Sequence, residues 1–207
     1  AAAVCLYSWN KRELLTATLD SLAASSLGRA VVAVLDNGSN DGTWELLEAQ
    51  AGRFARFLPV RLPVNVGAPA ARNWLLSLDA VKAASWAVFL DDDVELPPDW
   101  LARLLSVGEA EKARGDRVGA VGCRITEARA PFGLQSADYH IFPPQPQTGK
   151  ADPDAPRIAV FDNCAGQLDT GLVAYERPCL SVSGCCHAIS RQALDAAGAF
   201  DVRFTPT

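Results

Sequence analysis

Apolar runs and helical stripes alternate through the first 125 residues. Ala1–Tyr7 is apolar throughout, and Leu15, Leu19 and Leu22, with Thr18 between them, then recur at helical spacing. Asn10 with Glu13 reads as a helix cap and its back-reaching partner. Ala30–Leu35 is a second run, closed by the turn-forming Asp36-Asn37-Gly38-Ser39, and a short helix through Trp44, Leu47 and Ala51 follows. Phe57–Val64 reads as a third strand, placed near an edge by Pro59 and Pro63. Asn65-Val66-Gly67 turns into a helix opened by Pro69, with Ala71, Trp74, Leu78 and Val81 on one face. Ser85–Leu90 is the most apolar strand and stops at Asp91-Asp92-Asp93. Pro97-Pro98 opens a helix carrying Leu101, Leu104 and Leu105, and Arg117–Ile125 supplies a fifth strand. Strands apolar on both faces, interleaved with helices, predict a mostly parallel central sheet covered on both sides. That is an α/β, Rossmann-like three-layer sandwich.

The pattern changes after Glu127. Residues 131–156 hold six prolines, too many for regular structure, and read as a long mobile loop or flap. Arg157–Phe161 and Pro178–Ile189 are strand-like, with Asn163–Thr170 as turn material. Ser190 caps a short helix that Gly198 closes. The chain therefore reads as a single domain over residues 1–207, with 1–125 as one half and 126–207, carrying the loop 131–156, as the other.

Composition narrows the classes. With 207 residues and 49% hydrophobic content the chain is long enough and apolar enough to bury its own core. Twenty-four acidic against 19 basic residues, a net charge of −5, leave no broad basic face for a nucleic acid. The six cysteines form no C-x-x-C pair, so a zinc ribbon or thioredoxin-type site has no support. They read as small buried hydrophobes in a reducing compartment. No run of about 18 apolar residues and no charged-then-apolar leader is present, so neither a span nor a signal peptide is expected. Methionine is absent, and the chain reads as truncated at its C-terminal end.

In an open parallel sheet ligands bind beyond the carboxyl ends of the strands. Four polar clusters fall there: Ser8-Trp9-Asn10, Asp36-Asn37-Gly38-Ser39, Asn65-Val66-Gly67 and Asp91-Asp92-Asp93. No G-x-G-x-x-G or P-loop pattern accompanies them. Three adjacent acids at the end of a buried strand repel one another, and a divalent cation would relieve that. If strand geometry continues, Asp91 and Asp93 project to one side and could hold one Mg²⁺ or Mn²⁺. The plainer reading is a solvated loop in which Asp92 or Asp93 caps the next helix.

The order and spacing of these clusters resemble the family 2 inverting nucleotide-sugar glycosyltransferases of the GT-A type. The resemblance is carried by Tyr7-Ser8-Trp9-Asn10-Lys11, by Asp36 through Thr43, by Asn65-Val66-Gly67 with Ala71-Arg72-Asn73, and by Leu90-Asp91-Asp92-Asp93 followed by Pro98 and Leu101. It spans about Val4 to Trp100 and, more weakly, Ser183 to Phe204. It implies a GT-A fold that binds a nucleoside diphosphate sugar and transfers the sugar to an acceptor hydroxyl with inversion. The implied donor-binding residues are Ser8, Asn10, Asp36, Asn37, Asn65, Arg72, Asp91 and Asp92, with backbone around Tyr7–Asn10 and the side chains of Asp36 or Asn37 at the base and ribose. Arg72 would meet the diphosphate. Asp93, with Asp91, would hold Mg²⁺ or Mn²⁺, and Asp91 or Asp92 would reach the ribose. In the family a general base follows a Gly-x-Phe-Asp segment. Here Gly198-Ala199-Phe200-Asp201 matches that segment, Asp201 itself reads as structural, and the base is expected beyond Thr207. His187, in Ser183-Gly184-Cys185-Cys186-His187, could touch the acceptor but reads better as a packed strand residue.

Two other classes stay open at this stage. One is a sugar-nucleotide-binding module, or inactive fragment, without transfer. The other is a haloacid-dehalogenase-like phosphohydrolase in which Asp91 is the nucleophile and Asp93 an acid/base. That motif belongs at the end of a first strand, whereas about three strands precede it here. Family habit implies bacterial polysaccharide or protein glycosylation with a saccharide, lipid-linked or protein acceptor. It also implies a cytoplasmic location, with peripheral association at the inner face of the membrane.

Overall fold

A computed structural model of the chain describes residues 1–128, 133–136, 139–142, 159–162, 168–170, 176, 179 and 181–204. Residues 1–122 together with 184–207 form one compact unit, and 123–183 form another.

The first unit is built on a six-stranded sheet of β1 (Ala2–Ser8), β2 (Val31–Asp36), β3 (Phe57–Arg61), β4 (Trp86–Leu90), β5 (Ala120–Gly122) and, from the end of the chain, β10 (Cys186–Ser190). Their spatial order is β3-β2-β1-β4-β10-β5. β1, β2, β3 and β4 run parallel, while β10 lies antiparallel between β4 and β5. The near-complete burial of β1, β2 and β4 follows from their apolar sequence, broken only at the carboxyl ends by the buried Ser8 and Asp36.

Alternation along the strands assigns the two faces. Ala3, Cys5, Val31, Ala33, Leu35, Ala87 and Phe89 form one core with Ala71 and Leu75 of α3 (Ala68–Ser77), Val81 of α4 (Asp79–Lys82) and Leu194 of α6 (Arg191–Ala197). Val4, Leu6, Val32, Val34, Trp86, Val88 and Leu90 point the other way and are also buried. That face belongs to α1 (Arg12–Ala23), α2 (Thr43–Ala49) and α5 (Trp100–Ala113). α5 lies so close that a Cβ at Gly108 would come within 2.7 Å of the Trp86 ring. Each large apolar side chain buried in this way contributes roughly 1.5–3 kcal/mol. The result is the three-layer α/β arrangement that the apolar runs predict.

Several boundaries differ from expectation for local reasons. α1 starts after Lys11, with no side-chain cap from its own sequence. The Arg12 N–H instead donates to Asp41 Oδ2 at 2.9 Å, a cap supplied from another loop. The single helix expected from Pro69 to Val81 is broken where Leu78 turns extended, at φ −67° and ψ 132°. Its buried stripe runs through Ala71 and Leu75, and Trp74 is 51% exposed. Ser190 and Gly198 do bound α6, with the Ser190 hydroxyl accepting the Ala193 N–H.

In the second unit β6 (Ile125–Thr126) pairs with β7 (Leu134–Ser136), and β8 (Tyr139–Phe142) with β9 (Ala159–Asp162), both antiparallel. Arg124 and Asp169 form an ion pair of 2.8 Å there. β7 and β8 fall within the proline-rich stretch expected as a loop; its residues 131–132, 137–138 and 143–156 lie outside the described residues. The fifth strand expected over Arg117–Ile125 is divided between β5 and β6. Cys5 and Cys186 are buried, but Cys123 and Cys179 are exposed, and Cys164 lies outside the described residues. Burial pushes the Cys5 thiol up to about 12, against a smaller opposing pull from Arg191, so it remains a neutral core group.

Candidate functional site

Because β1, β2, β3 and β4 are parallel, their carboxyl ends share one edge. Register places Ser8 beside Asp36 and Asp36 beside Arg61, while Leu6 pairs with Leu90 just before the three aspartates. The four polar clusters are thereby brought onto one rim of the first unit.

The amide side chains bind one another. Asn37, 1% exposed, donates from Nδ2 to Asn65 Oδ1 at 2.8 Å and accepts the Val66 N–H at 3.0 Å. Asn65 Oδ1 also accepts the Gly67 N–H at 2.8 Å. Asn10 takes a left-handed φ of 53°, and its Oδ1 accepts the Asn40 N–H while its own N–H donates to Ser39 Oγ. Asp41 adds the cap on α1 and accepts from the hydroxyl and N–H of Thr43. Partial desolvation pulls its carboxyl upward, but the Thr43 and Arg12 donors outweigh that and hold it below the usual carboxylate range. Ser8 is engaged as well. It is fully buried, its hydroxyl donates to Asp92 Oδ2 at 2.7 Å, and its carbonyl accepts the Asn37 N–H.

Charged groups are less fully partnered. Asp36 is wholly buried; Oδ1 accepts the Ser39 N–H at 2.9 Å, but Oδ2 has no hydrogen bond. Arg61 Nε lies 3.6 Å from that same Oδ2, an ion pair too long for a hydrogen bond. A cavity of about 380 Å³ opens beside this pair, lined by Gly38, Ser39, Arg61, Leu62 and Pro63. Gly38 is required there: its φ is 78°, and a Cβ would lie 2.6 Å from the Val64 carbonyl carbon. Arg72, on α3, sits over the rings of Tyr7, Phe89 and Phe200 at 5.4, 6.0 and 5.5 Å. Its Nε is buried without a partner, and one terminal nitrogen lies 3.9 Å from Asp91 Oδ1. The Tyr7 hydroxyl is pushed up chiefly by burial, opposed by Arg72.

The three aspartates do not continue the alternation of β4, because the chain enters a turn at Asp92 and Asp93. Asp91 faces Arg72, whereas Asp92 and Asp93 share Lys11, whose Nζ lies 3.0 Å from Asp92 Oδ1 and 3.1 Å from Asp93 Oδ2. Burial alone would lower the Lys11 pKa, but the hydrogen bonds it donates to both carboxylates outweigh that and raise it. None of the three caps α5, whose N-cap is Asp99. Asp92 has both oxygens in use. Asp91 and Asp93 are partly exposed hard-oxygen donors. Their chemistry suits Mg²⁺ or Mn²⁺ as one or two protein ligands, with the remaining positions left to phosphate oxygens and water. Among the described residues no group of three His, Cys, Asp or Glu side chains is arranged to hold an ion by itself.

His187 is 6% exposed and stacks on Phe89 at 5.5 Å, the packed arrangement its strand position suggests. Asp201 is engaged by Arg203 through two side-chain nitrogens and a backbone N–H, which hold its carboxyl below the usual range. Sequence reasoning passed over Lys11 and Asn73. The Asn73 side chain donates to the Phe200 carbonyl at 2.9 Å and accepts the Phe200 N–H at 2.8 Å. It thus fastens Gly198–Asp201 to α3, and the Phe200 ring meets Phe89 edge-on at 5.4 Å. The signal was present: both residues sit inside motifs already singled out, but their partners are 81 to 127 residues away.

The family profile described as Glycosyl transferase family 2 matches residues 3–196. The O-antigen biosynthesis protein RfbC of Myxococcus xanthus is 28% identical over 94% of this chain, which spans only 14% of that protein. Among solved structures, S. aureus TarS 1-349 superposes with a TM-score of 0.63 at 17% identity, covering 100% of this chain and 52% of TarS 1-349. The mannosyltransferase PcManGT from Pyrobaculum calidifontis, in complex with GDP-Man and Mn²⁺, gives 0.62 at 21% identity over 97% of this chain and 47% of its own. The fold is thus the GT-A type of these neighbours. The chain spans about half, or much less, of the length of the relatives it matches.

Proposed function

The chain belongs to glycosyl transferase family 2, and we propose that it transfers a sugar from a nucleoside diphosphate sugar to an acceptor hydroxyl, with inversion and with assistance from Mg²⁺ or Mn²⁺. The observation that carries the donor reading is Asp36 Oδ2, a buried carboxylate oxygen without a hydrogen bond whose ion-pair partner, Arg61, lines a cavity. Leaving such an atom without a hydrogen bond costs up to about 1–3 kcal/mol, which the ion pair with Arg61 offsets only in part and a ligand N–H would recover further. A nucleobase offers a ring N–H between apolar faces, and Leu62, Pro63 and Gly38 supply apolar surface beside Arg61 and Ser39. Family membership makes the phosphohydrolase reading superfluous.

Charge on the rim then orders the donor. Arg72 carries a cation at the diphosphate, kept in place by three aromatic rings rather than by a fully formed ion pair. Asp91 and Asp93 would hold the divalent ion, and Asp92, fixed by Ser8 and Lys11, would present the ribose side of the rim. When bound, the ion supplies positive charge against the charge that develops on the departing diphosphate. The RfbC similarity and the GDP-Man and Mn²⁺ of the Pyrobaculum enzyme support this chemistry and a polysaccharide acceptor.

Inversion by one displacement requires a base for the acceptor hydroxyl. Asp201 is a poor base because Arg203 lowers its proton affinity. The base is therefore not assigned to Asp201. No helix among the described residues is long and apolar enough to cross a membrane. Peripheral work at the inner membrane face remains part of the proposal. Calorimetric titration with UDP, dTDP, GDP and CDP, each with Mn²⁺, is expected to show one clear preference among nucleotides whose base carries a ring N–H. Failure of all four to bind would remove the donor site.

A further inference from the structure

The carboxylates at the end of β4 already have a cation of the chain's own between them. Lys11 Nζ is 3.0 Å from Asp92 Oδ1 and 3.1 Å from Asp93 Oδ2. Asp92 cannot give way, because its other oxygen accepts the Ser8 hydroxyl and its side chain is 9% exposed. Asp93 is different: its side chain is 42% exposed, and Lys11 holds only Oδ2. A divalent ion approaching Asp93 therefore meets an ammonium at the same carboxylate, and two cations at that separation repel strongly.

We infer that Lys11 is a resident counter-cation that a divalent ion must displace from Asp93, and that the displaced ammonium then pairs with the donor's diphosphate. The inference rests on the donor reading above, and it adds an order of events to it. Metal alone binds poorly, since it must evict an ammonium that has nowhere better to go. Metal arriving with a diphosphate binds well, since the ammonium gains a new anion. The exchange is one of ion pairs only, with no proton or covalent bond transferred. Lysine suits the task, being a compact charge on a flexible four-carbon stem with rotatable donors. The side chain must do the moving. The backbone is pinned on both sides, the Asn10 N–H donating to Ser39 Oγ and the Arg12 N–H to Asp41 Oδ2.

The test is Mn²⁺ binding to the full 207-residue chain, read from the electron paramagnetic resonance signal of free Mn²⁺, with and without UDP. In the parent protein Mn²⁺ alone is expected to bind weakly and UDP to tighten it. Lys11→Met is expected to bind Mn²⁺ alone at least fivefold more tightly than the parent, and Mn²⁺ with UDP at least fivefold less tightly. Lys11→Arg should stay near the parent in both measurements. If Lys11→Met proves unstable, Lys11→Gln keeps a hydrogen-bond donor to Asp92 without the charge and carries the same two expectations. Opposite signs are the decisive readout, because a structural role for Lys11 would move both affinities downward. Unchanged or weaker Mn²⁺ binding without nucleotide, in either neutral variant, overturns the inference. UDP binding by the parent is measured separately. If UDP does not bind, the nucleotide preferred in the four-way titration takes its place; failure of all four to bind would sink the donor reading, whereas nucleotide binding without a gain in Mn²⁺ affinity would sink this inference alone.

Discussion

Two kinds of polar side chain line the same rim and behave differently. The amides of Asn10, Asn37 and Asn65 knit three loops together, and each has its carbonyl oxygen occupied by backbone or amide donors. Three of the charged groups around them are under-partnered, unlike Asp41 and Asp92: Asp36 Oδ2 and Arg72 Nε are buried without hydrogen bonds, Oδ2 meeting Arg61 only at 3.6 Å, and Asp91 meets Arg72 only at 3.9 Å. A saturated group holds a loop in shape and has little left for a ligand. An unsaturated buried charge is costly unless something completes it. Polar residues at the ends of parallel strands are therefore not equally informative. Their partners, more than their positions, separate scaffold from binding surface.

The sharpest way to break this comparison is to remove a scaffold amide. Asn37→Ala deletes a donor to Asn65 and the acceptor of the Val66 N–H at a side chain 1% exposed. With the Val66 N–H left without its acceptor and Asn65 Oδ1 reduced to the Gly67 N–H, the variant is expected to lose about 2–3 kcal/mol of stability. For a chain of this length that lowers Tm by roughly 4–12 °C. Thermal unfolding measures it, and a Tm within 2 °C of the parent (roughly the shift of a surface change) would show that the amide is not part of the scaffold.

Asp36→Asn probes the other class. Oδ1 must remain an oxygen to accept the Ser39 N–H, so the new Nδ2 takes the place of Oδ2. A donor then stands where an acceptor stood. Stability should change little, while UDP, whose uracil offers an N–H, should lose at least about tenfold in affinity, or 1.4 kcal/mol. CDP, whose cytosine offers a ring acceptor instead, should gain relative to UDP. Equal losses for UDP and CDP would mean that Asp36 supports the loop and does not read the base.

How far the sequence led depends on how local each feature is. The buried strands were legible because continuous apolar runs bounded by polar turns admit few other readings, and α6 was legible because Ser190 and Gly198 are its own caps. Helix faces were harder. The spacing of residues 71 to 81 permits a stripe through Trp74 or one through Leu75, and only packing against β1 and β2 selects Leu75, fully buried, over Trp74. At the rim, sequence position put Asp36 and the three aspartates at the ends of strands that the sheet register carries to one edge. It could not tell that Asn37 binds Asn65 or that Asn10 yields its capping task to Asp41. Nor could it tell that Asp93 faces Lys11, since each depends on a partner 28 or more residues away.

Asn65 stands on the boundary between the two classes and gives the smallest effect. Its Oδ1 accepts from both Asn37 and Gly67, whereas its side chain is exposed at the rim beside the cavity-lining Pro63. Asn65→Asp keeps an oxygen for both scaffold bonds and replaces only the amide nitrogen. Stability is expected to change by no more than about 0.5 kcal/mol, as for an exposed substitution that preserves its hydrogen bonds. UDP affinity should fall by about two- to threefold, because a new negative charge faces the diphosphate through water. That loss should fade as salt is raised, since screening acts within roughly 8–10 Å at ordinary ionic strength. A loss that persists at high salt would mean instead that the amide nitrogen touches the donor directly. In that case Asn65 would belong to both classes at once, bracing the loop through oxygen and binding through nitrogen. The comparison would then have to be drawn between atoms and not between residues.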